Sequence, residues 1–129
     1  MNIPDDLLYT KNHEWVKVEG ATATVGITDH AQHQLGDIVY VELPGEGNAV
    51  TKDETFGVVE SVKAVSDCYA PISGKVVGVN DPLSDSPESI NEDCYGEGWM
   101  IRVEMSDRSE LDELMDPKKY SAFLAEETA

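Results

Sequence analysis

Between Glu54 and Gly74 the chain holds one cation, Lys63; the nearest others are Lys52 and Lys75, and carboxylates stand close by at Glu60 and Asp67. A solitary amine has two chemical uses, as a catalyst or as an attachment point. A Schiff-base or general-base lysine needs its pKa lowered by burial or by a neighbouring cation. Flanking carboxylates push the other way. Attachment is therefore the better use. The bland alternative is a surface lysine pairing with Glu60 and Asp67 for at most about 1 kcal/mol. The bend itself speaks against that: Val62 to Val65 contains no Gly, Asn or Pro between two strand-like runs, so it lacks ordinary turn residues and holds one amine outward between apolar neighbours.

The remaining reactive types form no recognisable catalytic set. His30 and His33 lie three apart on an expected helix and His13 precedes Glu14. A metal centre would need further ligands converging from elsewhere, and none is expected. Cys68 and Cys94 form no CxxC and read as small, semi-buried apolar residues, with a bridge or redox pair as the alternative. No Walker loop, GxGxxG or Ser–His–Asp order occurs, and Gly45-Glu46-Gly47 reads as a turn. Trp15 and Trp99 are expected in the core or at its rim.

The elements that must position Lys63 are mostly short strands. Ala21, Ala23, Val25 and Ile27 alternate with Thr22, Thr24 and Gly26, the period of a half-buried strand. Residues 37–43 end at Pro44-Gly45; Trp99, Ile101, Val103 and Met105 share one parity. His13–Val18, Thr55–Ser61, Ser66–Ala70 and Gly74–Asn80 complete the strand set. Thr28 caps a short helix that Gly36 ends, and Ser86-Pro87 opens another toward Ile90. Asp107 and Glu110 have capping-box spacing. Asp116-Pro117 restarts the chain ahead of Tyr120, Phe123 and Leu124, giving C-terminal helices over about 107–126 with fraying from Glu126 to Ala129. No linker or low-complexity tract interrupts residues 1–129, so a single mainly β domain with a helical C-terminus is expected.

Composition bounds the function. Nine Lys and Arg against 26 Asp and Glu leave a net charge of −17 over 129 residues. Such a surface repels nucleic-acid phosphates and anionic headgroups. No apolar run approaches the roughly 18 residues of a spanning helix, and Met1 to Leu8 lacks the features of a secretory signal. A soluble, intracellular protein is expected, with partners that offer basic or neutral surfaces; the Met1 start without a transit peptide favours a bacterial cytoplasm, although a processed mitochondrial matrix protein would look similar. The acids of Ser106 to Glu113 read as a solvated helix face or a docking face.

Glu60-Ser-Val-Lys63-Ala-Val-Ser-Asp67, followed by Tyr69-Ala-Pro71 and Ser73-Gly74, resembles the lipoyl-lysine hairpin of the glycine cleavage system H proteins. His13-Glu14-Trp15-Val16, Gly26-Ile-Thr-Asp-His-Ala-Gln32, Leu35-Gly36-Asp37, Glu42-Leu-Pro44, Asn80 with Leu83, and Gly98-Trp99-Met100 resemble the family pattern in the same order. Coverage runs from about Leu7 to the C-terminal helices. Cys68 and Cys94 depart from it, taking positions usually aliphatic and proline. The resemblance implies a flattened β-barrel/sandwich hybrid, not an enzyme, with lipoate in amide linkage to Lys63. It implies an aminomethyl group passed from a pyridoxal-phosphate glycine decarboxylase (P) to a tetrahydrofolate-dependent aminomethyltransferase (T), then reoxidation by dihydrolipoyl dehydrogenase (L). It places Glu14, and more weakly His30, at the cleft sheltering the loaded arm; taken by itself, Glu14 reads equally as an ordinary exposed strand carboxylate. Glu14 and Asp67 would hold the cargo's ammonium charged, since the lone pair of a free amine can expel the sulfur as a thiolate and leave an iminium that water hydrolyses to formaldehyde. Glu60 and Asp67 are candidates for recognition by the lipoylating enzyme. A biotinyl carrier would have Met beside the lysine, where Val62 and Ala64 stand. A lipoyl domain of a 2-oxo acid dehydrogenase would lack the terminal segments. A lipoyl donor or scaffold outside glycine cleavage is the alternative that shares the hairpin.

Overall fold

The alternating Thr22–Ile27 run pairs on both sides. In the computed structural model, which describes residues 2–128, it is the third of nine antiparallel strands: β1 (Leu8–Tyr9), β2 (Glu14–Glu19), β3 (Thr22–Ile27), β4 (Ile38–Glu42), β5 (Ala49–Val50), β6 (Thr55–Ser61), β7 (Val65–Tyr69), β8 (Gly74–Val79) and β9 (Ile101–Met105). One sheet has the order β1-β2-β3-β9-β8-β5 and the other β4-β6-β7. They enclose a core that includes Val16, Val25, Ile27, Val59, Ile72, Val76 and Val103. This is the barrel-sandwich hybrid that the family resemblance implies, and the mainly β domain with short helices that the residues suggest.

Alternation understated the burial of β3. Ala23, Val25 and Ile27 face the main core, yet Thr24 and Gly26 are buried too. Trp15 explains it: a Cβ on Gly26 would stand 2.7 Å from its indole ring. Trp15 belongs to a second cluster with Leu7, Tyr9, Tyr120 and Leu124, in which Tyr9 and Tyr120 stack with centroids 4.5 Å apart. Gly74, eleven residues after Lys63, has a comparable cause, because a Cβ there would collide with the Glu104 carbonyl oxygen of the neighbouring strand.

The helices depart from expectation in detail. α1 (Asp29–Leu35) has Thr28 Oγ1 accepting from Ala31 N, and Gly36 follows it at φ 79°. α2 (Ser89–Glu92) starts later than Ser86-Pro87 suggests and has no side-chain cap. Residues 108–113 form a 3-10 turn rather than an α-helix. Asp107 caps it, but Glu110 does not close the capping box: its carboxylate accepts from Ser73 N (2.7 Å) and Ser73 Oγ (2.9 Å). The tertiary bond outcompetes the local one. α3 (Pro117–Thr128) remains helical through the segment expected to fray, with Glu127 Oε2 3.0 Å from His13 Nε2; Ala129 lies outside the described residues. β9 begins at Ile101, so Met100 is buried while Trp99 sits at the rim beneath Arg102. Cys68 and Cys94 are both free and buried. Burial pushes the Cys94 thiol up to about 12 and that of Cys68 higher still, which leaves both unreactive as nucleophiles.

Candidate functional site

Strands β6 and β7 form a hairpin in which Glu60 opposes Val65, Val59 opposes Ser66 and Val58 opposes Asp67. Lys63 lies in the bend, exposed. The bend is not devoid of turn chemistry, as the residues 62–65 suggested. Ser61, at the end of β6, supplies it: its Oγ accepts from Ala64 N (3.0 Å) and Lys63 N (3.3 Å), and Ser61 N donates to the Ala64 carbonyl (2.8 Å). A serine hydroxyl replaces the usual Gly or Asn by bonding the backbone directly. Val62 N donates to the Asp37 carbonyl (3.1 Å), which ties the bend to the segment entering β4.

No ion pair involves Lys63 among the described residues. Its stem instead passes close to Gly36, where a Cβ would stand 3.4 Å from Lys63 Cε. Asn91 holds this platform together. Its Nδ2 donates to Gln32 Oε1 (3.0 Å) and the Gly36 carbonyl (2.9 Å), and its Oδ1 accepts from Ile38 N (2.8 Å). Nothing in the local sequence singles Asn91 out; its three partners lie more than 50 residues away.

Glu60 and Asp67 stand on one face of the hairpin, because cross-strand partners share a face. The register with β4 extends that face into rows, Tyr40–Glu60–Val65 and Glu42–Val58–Asp67. Tyr40 is 49% exposed, Val62 69% and Val65 66%. Acids interleaved with exposed apolar side chains thus surround the amine. The surface is suited to docking a partner through both contact types.

A cavity of about 330 Å³ opens beside this hairpin, lined by His13, His30, Gln34, Leu35, Ser66 and Glu127 among others. His30 therefore borders the space next to Lys63's hairpin. Glu14 does not line it. Glu14 is 2% exposed, its Oε1 accepting from Thr10 Oγ1 (2.6 Å) and its Oε2 from Tyr69 N (3.2 Å). Burial is the main cause that pushes its pKa up to about 7, with Asp53 adding to it, while the two hydrogen bonds oppose the rise. An exposed strand carboxylate, the plain reading of Glu14, is excluded by this placement. Among the described residues no cation pairs with it.

The family described as "Glycine cleavage H-protein" matches residues 7–127. The chain is 62% identical over 127 residues to a "Glycine cleavage system H protein" of Anaeromyxobacter sp. (strain K), covering 98% of this chain and 99% of that one. It is 57% identical over 125 residues to a protein of the same description from Carboxydothermus hydrogenoformans, covering 97% and 96%. The crystal structure of a glycine cleavage system H protein from Mycobacterium marinum superposes with a TM-score of 0.86 at 41% identity, covering 93% of this chain and 97% of that chain.

Proposed function

We propose, from the premise that this chain belongs to the glycine cleavage H-protein family, that Lys63 Nζ is the point at which lipoate is joined in amide linkage. The family is that of the lipoyl-bearing aminomethyl carrier of glycine cleavage, a non-catalytic component. The observation that supports the assignment is the exposed, unpaired Lys63 at the tip of the β6–β7 hairpin, with a cavity beside it. An unpaired amine fits acylation, since no buried charge or salt bridge must be broken to neutralise it.

When attached, the lipoyl group supplies the sulfur chemistry that accepts and releases the aminomethyl cargo. The chain's residues supply presentation and shelter. Ser61 fixes the bend, and Asn91 and Gly36 support the stem. Glu60 and Asp67, with Tyr40 and Val65 beside Glu60, form the rim that a lipoylating enzyme reads. Rim charges act mainly on encounter rate. Glu14 is a desolvated carboxylate with no cation paired to it among the described residues; an ammonium that displaced Thr10 or Tyr69 from its oxygens would relieve its burial cost and be kept protonated in return. Asp67 is the second acid for this role, at the arm's root.

The partners in this reading are the pyridoxal-phosphate glycine decarboxylase, the tetrahydrofolate-dependent aminomethyltransferase, dihydrolipoyl dehydrogenase and the lipoylating enzyme, met by a monomer in a bacterial cytoplasm. No helix among the described residues is long and apolar enough to cross a membrane. Intact mass after coexpression with a lipoylating enzyme and lipoate tests the attachment. A single lipoyl-sized adduct, abolished by Lys63→Arg, is expected; a biotin-sized adduct, or a lipoyl adduct that survives the substitution, overturns it. Loading of the adduct by glycine decarboxylase and glycine separates the carrier from a lipoyl donor or scaffold, which would stay unloaded.

A further inference from the structure

Three side chains from three distant parts of the sequence converge at the cavity wall. His13 precedes β2, His30 lies in the first turn of α1, and Glu127 lies in the last turns of α3. One ligand atom from each lies within 4.8 Å of the others, and His13 Nε2 is already 3.0 Å from Glu127 Oε2. The histidine pair visible along the chain, His30 with His33, is not the pair the fold assembles. It brings His13 to His30 instead, ring centroids 4.5 Å apart, and adds the carboxylate that a metal site lacked.

We propose that His13, His30 and Glu127 bind a dication of the Zn²⁺ type, with a fourth position open to the cavity. Two imidazoles and one carboxylate are a donor set that Zn²⁺ takes, at bond lengths of about 2.0–2.2 Å. Tetrahedral geometry at those lengths places ligand atoms roughly 3.3–3.5 Å apart. Closing from 4.8 Å to that spacing shortens the ligand-atom separations by at most about 1.5 Å. The cavity of about 330 Å³ leaves room for the fourth ligand, a water or an exogenous donor.

The surroundings hold the donors in place. His13 Nδ1 lies 2.9 Å from the Tyr120 hydroxyl, which lies 2.7 Å from Thr28 Oγ1. Thr28 in turn caps α1, the helix that bears His30. The network thus holds His13 directly and the helix of His30 through its cap, as outer partners do in metal sites, while Glu127 shares a helix with Tyr120 and already meets His13 Nε2. The hydroxyl pair can donate in either direction. It therefore serves both tautomers of His13: Nδ1 accepts from Tyr120 while Nε2–H faces Glu127, or Nδ1–H donates to Tyr120 and frees Nε2 for a metal. His13 is also held at φ 68°, a conformation uncommon for a residue other than glycine and one that clusters at functional sites.

The test is calorimetric titration of ZnCl₂ into the full chain, purified without a metal-affinity tag and kept oxidised so that no dithiol chelates. One ion per chain with a dissociation constant of about micromolar order is expected. Co²⁺ should give the intense visible absorption of a four-coordinate site. Glu127→Gln, which alters a partly exposed side chain, and His30→Ala should each weaken Zn²⁺ binding at least about tenfold, with circular dichroism verifying the fold. His33→Ala should bind as the unmodified chain does. No saturable binding up to millimolar Zn²⁺, binding that Glu127→Gln leaves unchanged, or binding lost in His33→Ala would each overturn the site.

Discussion

At the scale of single residues, Glu14 is where sequence and structure differ most in consequence. It reads as an ordinary strand acid, but the fold buries it under Thr10 and against β7. Its pKa rises from 4.5 to about 7, which at about 1.4 kcal/mol per unit is a burden of about 3 kcal/mol on the folded state. The sign is that of a raised acid. The folded state binds the proton more tightly, so the relative stability is full below about pH 4.5 and lost as pH rises toward 7. Glu14→Gln, which cannot ionise, should flatten that slope and stabilise the chain at pH 8 by about 1–2 kcal/mol, less than the full burden because Tyr69 N loses an anionic acceptor. Urea unfolding at several pH values checks it; identical slopes in both proteins would refute the account. The same substitution should hasten formaldehyde release from the loaded protein without partners, and an unchanged decay rate removes Glu14 from the shielding role. The buried carboxylate thus lowers stability, and under the proposed shielding role that cost would be the kind of trade seen at functional sites generally.

At the scale of elements, the hairpin was legible and its support was not. Two strand-like runs, seen in β6 and β7, place a bend at Lys63 from residues adjacent in the chain alone. The Ser61 hydroxyl that makes the bend, and the Asn91 amide that joins Gln32, Gly36 and Ile38, become visible only when distant segments meet. Asn91→Ala removes three hydrogen bonds at once and leaves Ile38 N without its partner. A loss of about 1–3 kcal/mol is expected, with faster amide exchange confined to residues 32–38. Exchange rates that rise equally across β9 would show a global effect instead. Capping followed the same division: Thr28 and Asp107 cap as their types suggest, whereas Glu110 leaves its local partner for Ser73.

At the scale of the whole molecule, a charge of −17 over 129 residues repels itself. Ion pairs contribute little relief, since the described ones involve His13, His33 and Lys52 alone. Added salt screens that repulsion within a Debye length of about 8–10 Å near physiological strength. The thermal midpoint should therefore rise from low to physiological ionic strength. Differential scanning calorimetry reads it directly, and a midpoint that falls would mean that attractive pairs dominate. Partner encounter should show the opposite trend, slowing with salt if the partner surfaces are basic.

The sequence by itself determined what short-range chemistry determines: the strand runs by period, the bend with its lone amine, the caps at Thr28 and Asp107, and an acidic surface. Family membership was also legible, because its motifs are ordered segments of chain. Tertiary structure alone decided which side chains lose water. It sealed Glu14, laid Trp15 over Gly26, turned Met100 inward in place of Trp99, and gathered His13, His30 and Glu127 from 114 residues of separation. Burial and convergence depend on how two sheets and a final helix close on one another, and no local pattern encodes that closure.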